Sequence, residues 1–163
     1  MGKQLAEIYA CLQPSPKVLV SCRSKNGEDN ALAVAYCCNC SYDPPMVMVG
    51  IVPSRYSYDM IKEAGAFVVN IPGKNNQEMF DYLGSHSRRD GDKLKTIGAA
   101  IGQASKIDAP LLDDCPVQIE CTIVDSIKTG SHEMFVGKIL CVHADGQLID
   151  EKGKIDYAKM ELL

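Results

Sequence analysis

The chain has 163 residues, a net charge of −4, 46% hydrophobic residues and 23% charged residues, the proportions of an ordinary folded globule. No run of Lys or Arg exceeds two residues, and no apolar run approaches the ~20 residues of a membrane-spanning helix. Neither nucleic acid nor a membrane is therefore an expected partner. The first residues lack the charged-then-apolar pattern of a signal peptide, so a cytoplasmic protein of one domain over residues 1–163 is expected.

Lys17–Arg23 is a predicted strand, bounded by Pro14 and Pro16 before it and by Asn26-Gly27 after it. Asn-Gly is a strong two-residue turn signal, so Asn30–Cys38 is expected as the partner strand. Met46–Val52 is continuously apolar, as in a strand covered on both faces. Ser57–Ala64 reads as a helix, with Ser57 where an N-cap hydroxyl would sit and Gly65 as the residue that ends it. Ala66–Ile71 is another buried strand, stopped by Pro72-Gly73.

Asn75 to Ile97 reads as helix, loop, helix. Met79, Phe80 and Leu83 form one apolar stripe ended by Gly84, and the polar stretch Gly84–Lys93 is expected as a surface loop. Val117, Ile119, Cys121 and Ile123 alternate with Gln118, Glu120 and Thr122, a half-buried strand pattern. Thr129-Gly130-Ser131 turns this strand into Glu133–His143, its expected antiparallel partner, and Asp145-Gly146 and Glu151–Gly153 make further turns. Strands running through hairpins without βαβ alternation predict a mainly β fold, an antiparallel barrel with short helical insertions. There is no Gly-x-Gly-x-x-Gly and no Walker loop, so a bound nucleotide would be held neither in a Rossmann crevice nor by a P-loop.

The eight cysteines are Cys11, Cys22, Cys37, Cys38, Cys40, Cys115, Cys121 and Cys141. Most fall in apolar, strand-like runs, so reduced and buried thiols acting as small hydrophobes are expected rather than disulfides. Cys37-Cys38-Asn39-Cys40 contains a Cys-x-x-Cys spacing. A structural zinc or iron–sulfur site normally needs a second ligand pair, and no other Cys-x-x-Cys or Cys/His pair is expected; a reactive dithiol sits at a helix N-terminus, whereas these residues end a predicted strand. No metal is expected.

Residues 41–72 are the most informative stretch. The turn Ser41-Tyr-Asp-Pro-Pro45 leads through a buried strand to Pro53-Ser-Arg-Tyr-Ser57 at a helix start, then to Phe67-Val-Val-Asn70-Ile-Pro72. Unpaired N–H groups and the positive end of the dipole make a helix start suited to a phosphate, and Arg55 adds a fixed positive charge. Asn30-Ala-Leu-Ala-Val-Ala-Tyr36 precedes these segments, and Gly130-Ser-His132 running into Phe135-Val-Gly137 follows them. In this order, from about Pro14 to His143, the chain resembles the flavin reductase and flavoredoxin family.

The resemblance implies an FMN-binding split β-barrel and a homodimer with FMN near the subunit interface. It implies hydride transfer from NAD(P)H to bound flavin; the alternative is an FMN electron carrier served by a protein electron donor, without NAD(P)H activity. It places the flavin ring on the loop Tyr36–Ser41. There Tyr36, Cys37, Cys38, Asn39 and Cys40 depart from the Trp and apolar-Pro-apolar pattern of many relatives, while Ser41 is kept. It further implies cofactor contacts from Asn30, Arg55, Ser57 and Tyr58, and from Arg88, whose other reading is a solvated charge in a Gly-bounded loop. Asn70 either touches the ribityl chain or phosphate, or staples the strand end to a loop. His132 is the candidate catalytic residue beside flavin and nicotinamide; its other reading is a turn histidine bonded to local backbone. His86 and His143 are accounted for by a surface loop and a strand end.

Overall fold

The computed structural model describes residues 2–163. Its elements are β1 (Val18–Arg23), β2 (Asp29–Val34), β3 (Cys37–Ser41), β4 (Met46–Ile51), α1 (Tyr56–Ala64), β5 (Ala66–Ile71), α2 (Gln77–Ser85), α3 (Lys93–Ile97), β6 (Ile101–Gln103), β7 (Pro110–Leu112), β8 (Val117–Lys128) and β9 (Glu133–Ala144). Seven strands form one antiparallel sheet in the order β2-β1-β5-β8-β9-β4-β3, and β6 pairs only with β7. The two edges, β2 and β3, are consecutive in the chain. The sheet therefore curls into a barrel split between them.

The period-2 alternation of the strands decides what fills the barrel. Val18, Val20 and Cys22 of β1, Val47, Val49 and Ile51 of β4, and Phe67 and Val69 of β5 meet Cys121 and Phe135 in one buried cluster. Helix α1 sets Tyr58, Met60 and Ile61 into the same cluster and ends at Gly65, whose φ of 66° suits a residue without Cβ. The opposite face of β1 and β2 presents Leu19 and Ala31 to Met79 and Leu83 of α2, Leu94 of α3 and Leu112 of β7. β1 is thus covered on both sides, as its apolar run demands. Among the described residues no helix is long and apolar enough to cross a membrane.

Three expectations need correction. The segment Asn30–Cys38 is not one strand: β2 stops at Val34, opposite Val18, and the chain bends through Ala35 and Tyr36 into β3. Pro16, two residues before Val18, has no N–H with which to continue the ladder. The Tyr36 carbonyl instead accepts the Gly50 amide at 2.8 Å, and β3 pairs with β4, so Tyr36–Ser41 is largely a strand and not a loop. Gly84 does not end α2, which continues to Ser85; a Cβ at Gly84 would lie 3.0 Å from that of Ala33, so its role is close packing. All eight cysteines are free thiols, but Cys11, Cys38 and Cys40 are exposed rather than buried.

Candidate functional site

The stretch after α2, expected as a plain surface loop, is folded into the wall of a cleft. Ser87 caps a short 3₁₀ turn, Arg88–Asp90, by accepting the Arg89 amide. Asp92 caps α3, and Lys93 in its first turn is buried. The Lys93 Nζ donates to the carbonyls of Leu83 (2.8 Å) and His86 (3.0 Å), closing the loop back onto α2. Arg89 reaches across to the Ser54 carbonyl at 3.1 Å and lies over the Tyr56 ring. The cleft between this loop, the edge of β2 and the start of α1 measures about 200 Å³.

The lining contains four cationic residues, Arg55, Arg88, Arg89 and Lys93, and no carboxylate. Glu28 and Asp92 approach Arg88 from outside it at 3.5 and 3.7 Å. Burial in this wall, with Arg55 nearby, pushes Lys93 down to about 8. The N-cap of α1 is Arg55 in extended backbone, with no side-chain cap bond, so the first N–H groups of the helix are left without a capping side chain. Ser57 is therefore not the cap. It lies inside the first turn, fully buried, and accepts the Asn30 amide at 2.8 Å. Two buried polar atoms here have no protein partner, Asn30 Oδ1 and Arg88 Nε. One is an acceptor and the other a donor.

Of the residues singled out from the sequence, Asn30, Arg55, Ser57 and Arg88 converge on this cleft. A second group adjoins the split of the barrel: the Tyr36 ring meets His132 edge-on with centroids 4.9 Å apart. His132 Nδ1 is 2.7 Å from Ser131 Oγ. Cys37 through Ser41 run along β3, with Cys38, Asn39 and Cys40 exposed on that edge. Burial pushes the Cys37 thiol up to about 12, which makes it a poor nucleophile.

Tyr58 and Asn70 lie elsewhere. The Tyr58 hydroxyl donates to Glu133 and accepts from Lys62, and its ring packs on Phe135; Tyr56, two residues earlier, lines the cleft instead. Helical spacing turns the two side chains about 200° apart, which explains the exchange. Asn70 is fully buried, donates to the Leu19 carbonyl (3.1 Å) and Ser21 Oγ (2.9 Å), and accepts the Leu112 amide (3.0 Å). Its polar atoms are committed to stapling β5, β1 and β7 together. Sequence reasoning missed Lys93, Arg89 and His86, which also lines the cleft with its ring stacked on Tyr82. The signal for Arg89 and His86 was the Gly-bounded basic loop itself; Lys93 lies beyond it, in α3.

A split antiparallel barrel whose helix start opens into a cationic, carboxylate-free cleft presents a site electrostatically suited to an anion. The chain belongs to the family described as flavin reductase like domain, whose profile matches residues 11–159. The flavoredoxin of Desulfovibrio vulgaris (Miyazaki F) superposes with a TM-score of 0.89 at 29% identity, over 98% of this chain and 85% of that one. A protein of Archaeoglobus fulgidus is 32% identical over 117 residues, covering 72% of this chain and 66% of its own length. The NADH:riboflavin 5'-phosphate oxidoreductase of Streptomyces pristinaespiralis is 24% identical over 123 residues, 76% of this chain and 67% of that one.

Proposed function

We propose that this protein holds FMN with its phosphate in the cationic cleft and transfers hydride from NAD(P)H to it. The observation that carries the reading is the pair of orphaned atoms in a lining of cations. Asn30 Oδ1 lacks a donor and Arg88 Nε lacks an acceptor; a ribityl phosphate offers a hydroxyl for the first and an anionic oxygen for the second along one short chain. At about 200 Å³ the cleft is smaller than the roughly 300–1,000 Å³ of a typical small-molecule site. It therefore suits the phosphate and part of the ribityl chain, with the ring lying outside toward Tyr36 and β3. Arg55, Arg88 and the free amides of α1 hold the phosphate, and Lys93 adds a charge whose third N–H is uncommitted.

When bound, FMN supplies the redox chemistry, accepting a hydride into its ring. The chain's own residues bind and orient it. The unpaired edges of β2 and β3 offer backbone groups on either side of the split, and His132 beside Tyr36 seats the nicotinamide. The relative named as an NADH:riboflavin 5'-phosphate oxidoreductase supports this assignment. A second reading, an FMN electron carrier that ignores NAD(P)H, is favoured by the likeness to a flavoredoxin over nearly the whole chain. Anaerobic stopped-flow mixing of the FMN-loaded protein with NADH or NADPH separates the two. Rapid bleaching of the flavin band is expected. No bleaching by either nucleotide, with fast reduction by a low-potential protein donor, would establish the carrier instead.

Lys93 gives this reading a pH signature. Its folded pKa of about 8 lies below the ordinary lysine value of about 10.4. Below pH 8 the buried charge opposes folding, and that cost is relieved as pH rises from 8 toward 10.4. A phosphate in the cleft favours the charged form, so FMN affinity should fall as pH rises through 8, by roughly fivefold to tenfold at pH 9 to 9.5. The two trends have opposite sign. Titrating FMN fluorescence quenching across this range checks the second, and Lys93→Met should flatten it.

The proposal includes a symmetric dimer. Val124 and Ile127 of β8 and Leu140 and Val142 of β9 are large apolar residues exposed on one long ribbon, a surface suited to a second copy. Light scattering at micromolar concentration is expected to give twice the chain mass; a monomer mass with FMN bound would refute the dimer.

A further inference from the structure

In the β8–β9 ladder Glu120 stands opposite Cys141, so their side chains leave the sheet on the same face, and His143, two residues on, shares it. That face is the outer one. Glu120 also stands opposite Val68 of β5, which packs under Ala104, Ala109 and Leu111 and not in the barrel interior. The cluster is therefore remote from the cationic cleft. His143 Nε2 lies 2.6 Å from Glu120 Oε1 and 3.3 Å from Cys141 Sγ, and Cys141 Sγ lies 3.5 Å from Glu120 Oε1. Three donors of different chemistry converge on one point.

Glu120 is fully buried, and its only ion-pair partner among the described residues is His143. Its Oε1 accepts the Ser105 amide (2.8 Å) and the Ser105 hydroxyl (3.0 Å), and its Oε2 accepts the Lys106 amide (2.7 Å). Its orientation is set by two backbone amides, as that of a metal-ligating carboxylate commonly is.

We propose that Glu120, Cys141 and His143 form a binding site for a zinc-class divalent ion. A thiolate, an imidazole and a carboxylate suit Zn²⁺ and disfavour Mg²⁺ and Ca²⁺, which take oxygen ligands. Three protein ligands leave a fourth position, open to solvent past the half-buried His143. Zinc bonds of about 2.0–2.1 Å set tetrahedral N and O donors roughly 3.3 Å apart, against 2.6 Å here. The imidazole therefore swings outward by less than about 1 Å as the ion enters, and the Cys141 thiol gives up its proton to solvent. Because Glu120 also holds the Ser105 and Lys106 amides, the ion ties the segment between β6 and β7 to the β8–β9 ladder. Cys141 and His143 are a Cys/His pair two residues apart on β9, contrary to the expectation that the chain has no such pair.

The test uses the purified protein, stripped by chelator and titrated with Co²⁺ as a coloured substitute for zinc. One equivalent per chain should produce the long-wavelength bands of tetrahedral, thiolate-ligated cobalt, and Zn²⁺ should bleach them. Cys141→Ser should abolish these bands, and His143→Ala should weaken Co²⁺ binding by roughly tenfold or more. The double variant Cys38→Ser/Cys40→Ser should retain them in full. Absence of the bands from the parent protein overturns the proposal. So does their survival in Cys141→Ser, or their loss in the Cys38/Cys40 variant.

Discussion

Replacing Arg55 and Arg88 together with Ala should weaken FMN binding by roughly 10²- to 10⁴-fold, while riboflavin affinity changes by less than about tenfold. The figure follows from about 1.5–3 kcal/mol for each charge-assisted hydrogen bond to phosphate, and it need not be additive for two residues in one cleft. Arg88 already has Glu28 and Asp92 at 3.5 and 3.7 Å, so part of its charge is offset before the phosphate arrives. Arg55 is exposed and makes no ion pair with any described residue, and it should account for the larger share. Arg89 provides the contrast. Its guanidinium holds the Ser54 carbonyl and the Tyr56 ring, so Arg89→Ala should loosen the turn before α1 and weaken FMN and riboflavin alike. Fluorescence titration of each variant with both flavins separates the effects. An equal loss for the two ligands in the Arg55/Arg88 variant would mean that these residues support the fold and do not read a phosphate.

The strands were legible because their signals are local and periodic. The alternation in Val117–Ile123, the turn residues Thr129–Ser131 and the glycine at 65 each act within a few residues, and the structure places β8, β9 and the end of α1 there. The break between β2 and β3 was not legible in the same way. The run from Asn30 to Cys38 reads as one strand because nothing within it forbids continuation; what ends β2 is the missing donor at Pro16, two residues before the neighbouring strand begins. The barrel's split, and with it the site, is thus a tertiary property. The same distinction holds among the site residues. Arg55 and the helix start could be read from sequence, since a cation beside free amides is a local feature. Lys93 could not, because its burial depends on carbonyls from α2 and the following loop. Tyr58 and Asn70 illustrate the converse: a polar residue in a promising segment says little until its partners are known, and theirs are Glu133, Lys62 and the β1 and β7 backbones. The pairing of Glu120 with Cys141 likewise exists only once the register of β8 and β9 is fixed.

His132→Ala should slow flavin reduction by nicotinamide roughly tenfold or more while leaving FMN affinity nearly unchanged. A factor of ten corresponds to only about 1.4 kcal/mol of transition-state stabilisation, an amount that one positioning contact can supply. The expectation comes from where the ring sits. His132 follows the 129–131 turn and is held from both sides, with Nδ1 beside Ser131 Oγ at 2.7 Å and its ring in a T-shaped contact with Tyr36. That leaves Nε2 without a protein partner among the described residues. The residue is half-buried and does not line the cationic cleft, so its removal takes nothing from the phosphate. Tyr36→Leu is the matching control: it removes the ring that orients His132 and should slow reduction in the same direction without removing the imidazole. Single-turnover reduction of FMN-loaded protein isolates this step from cofactor binding, and the flavin spectrum before mixing reports occupancy. The Arg55 variant should behave in the opposite way, losing FMN while keeping its rate per bound flavin. Loss of FMN in His132→Ala, or reduction at the parent rate, would instead make His132 a turn residue, with the edge-on contact to Tyr36 serving only to fix the mouth of the barrel.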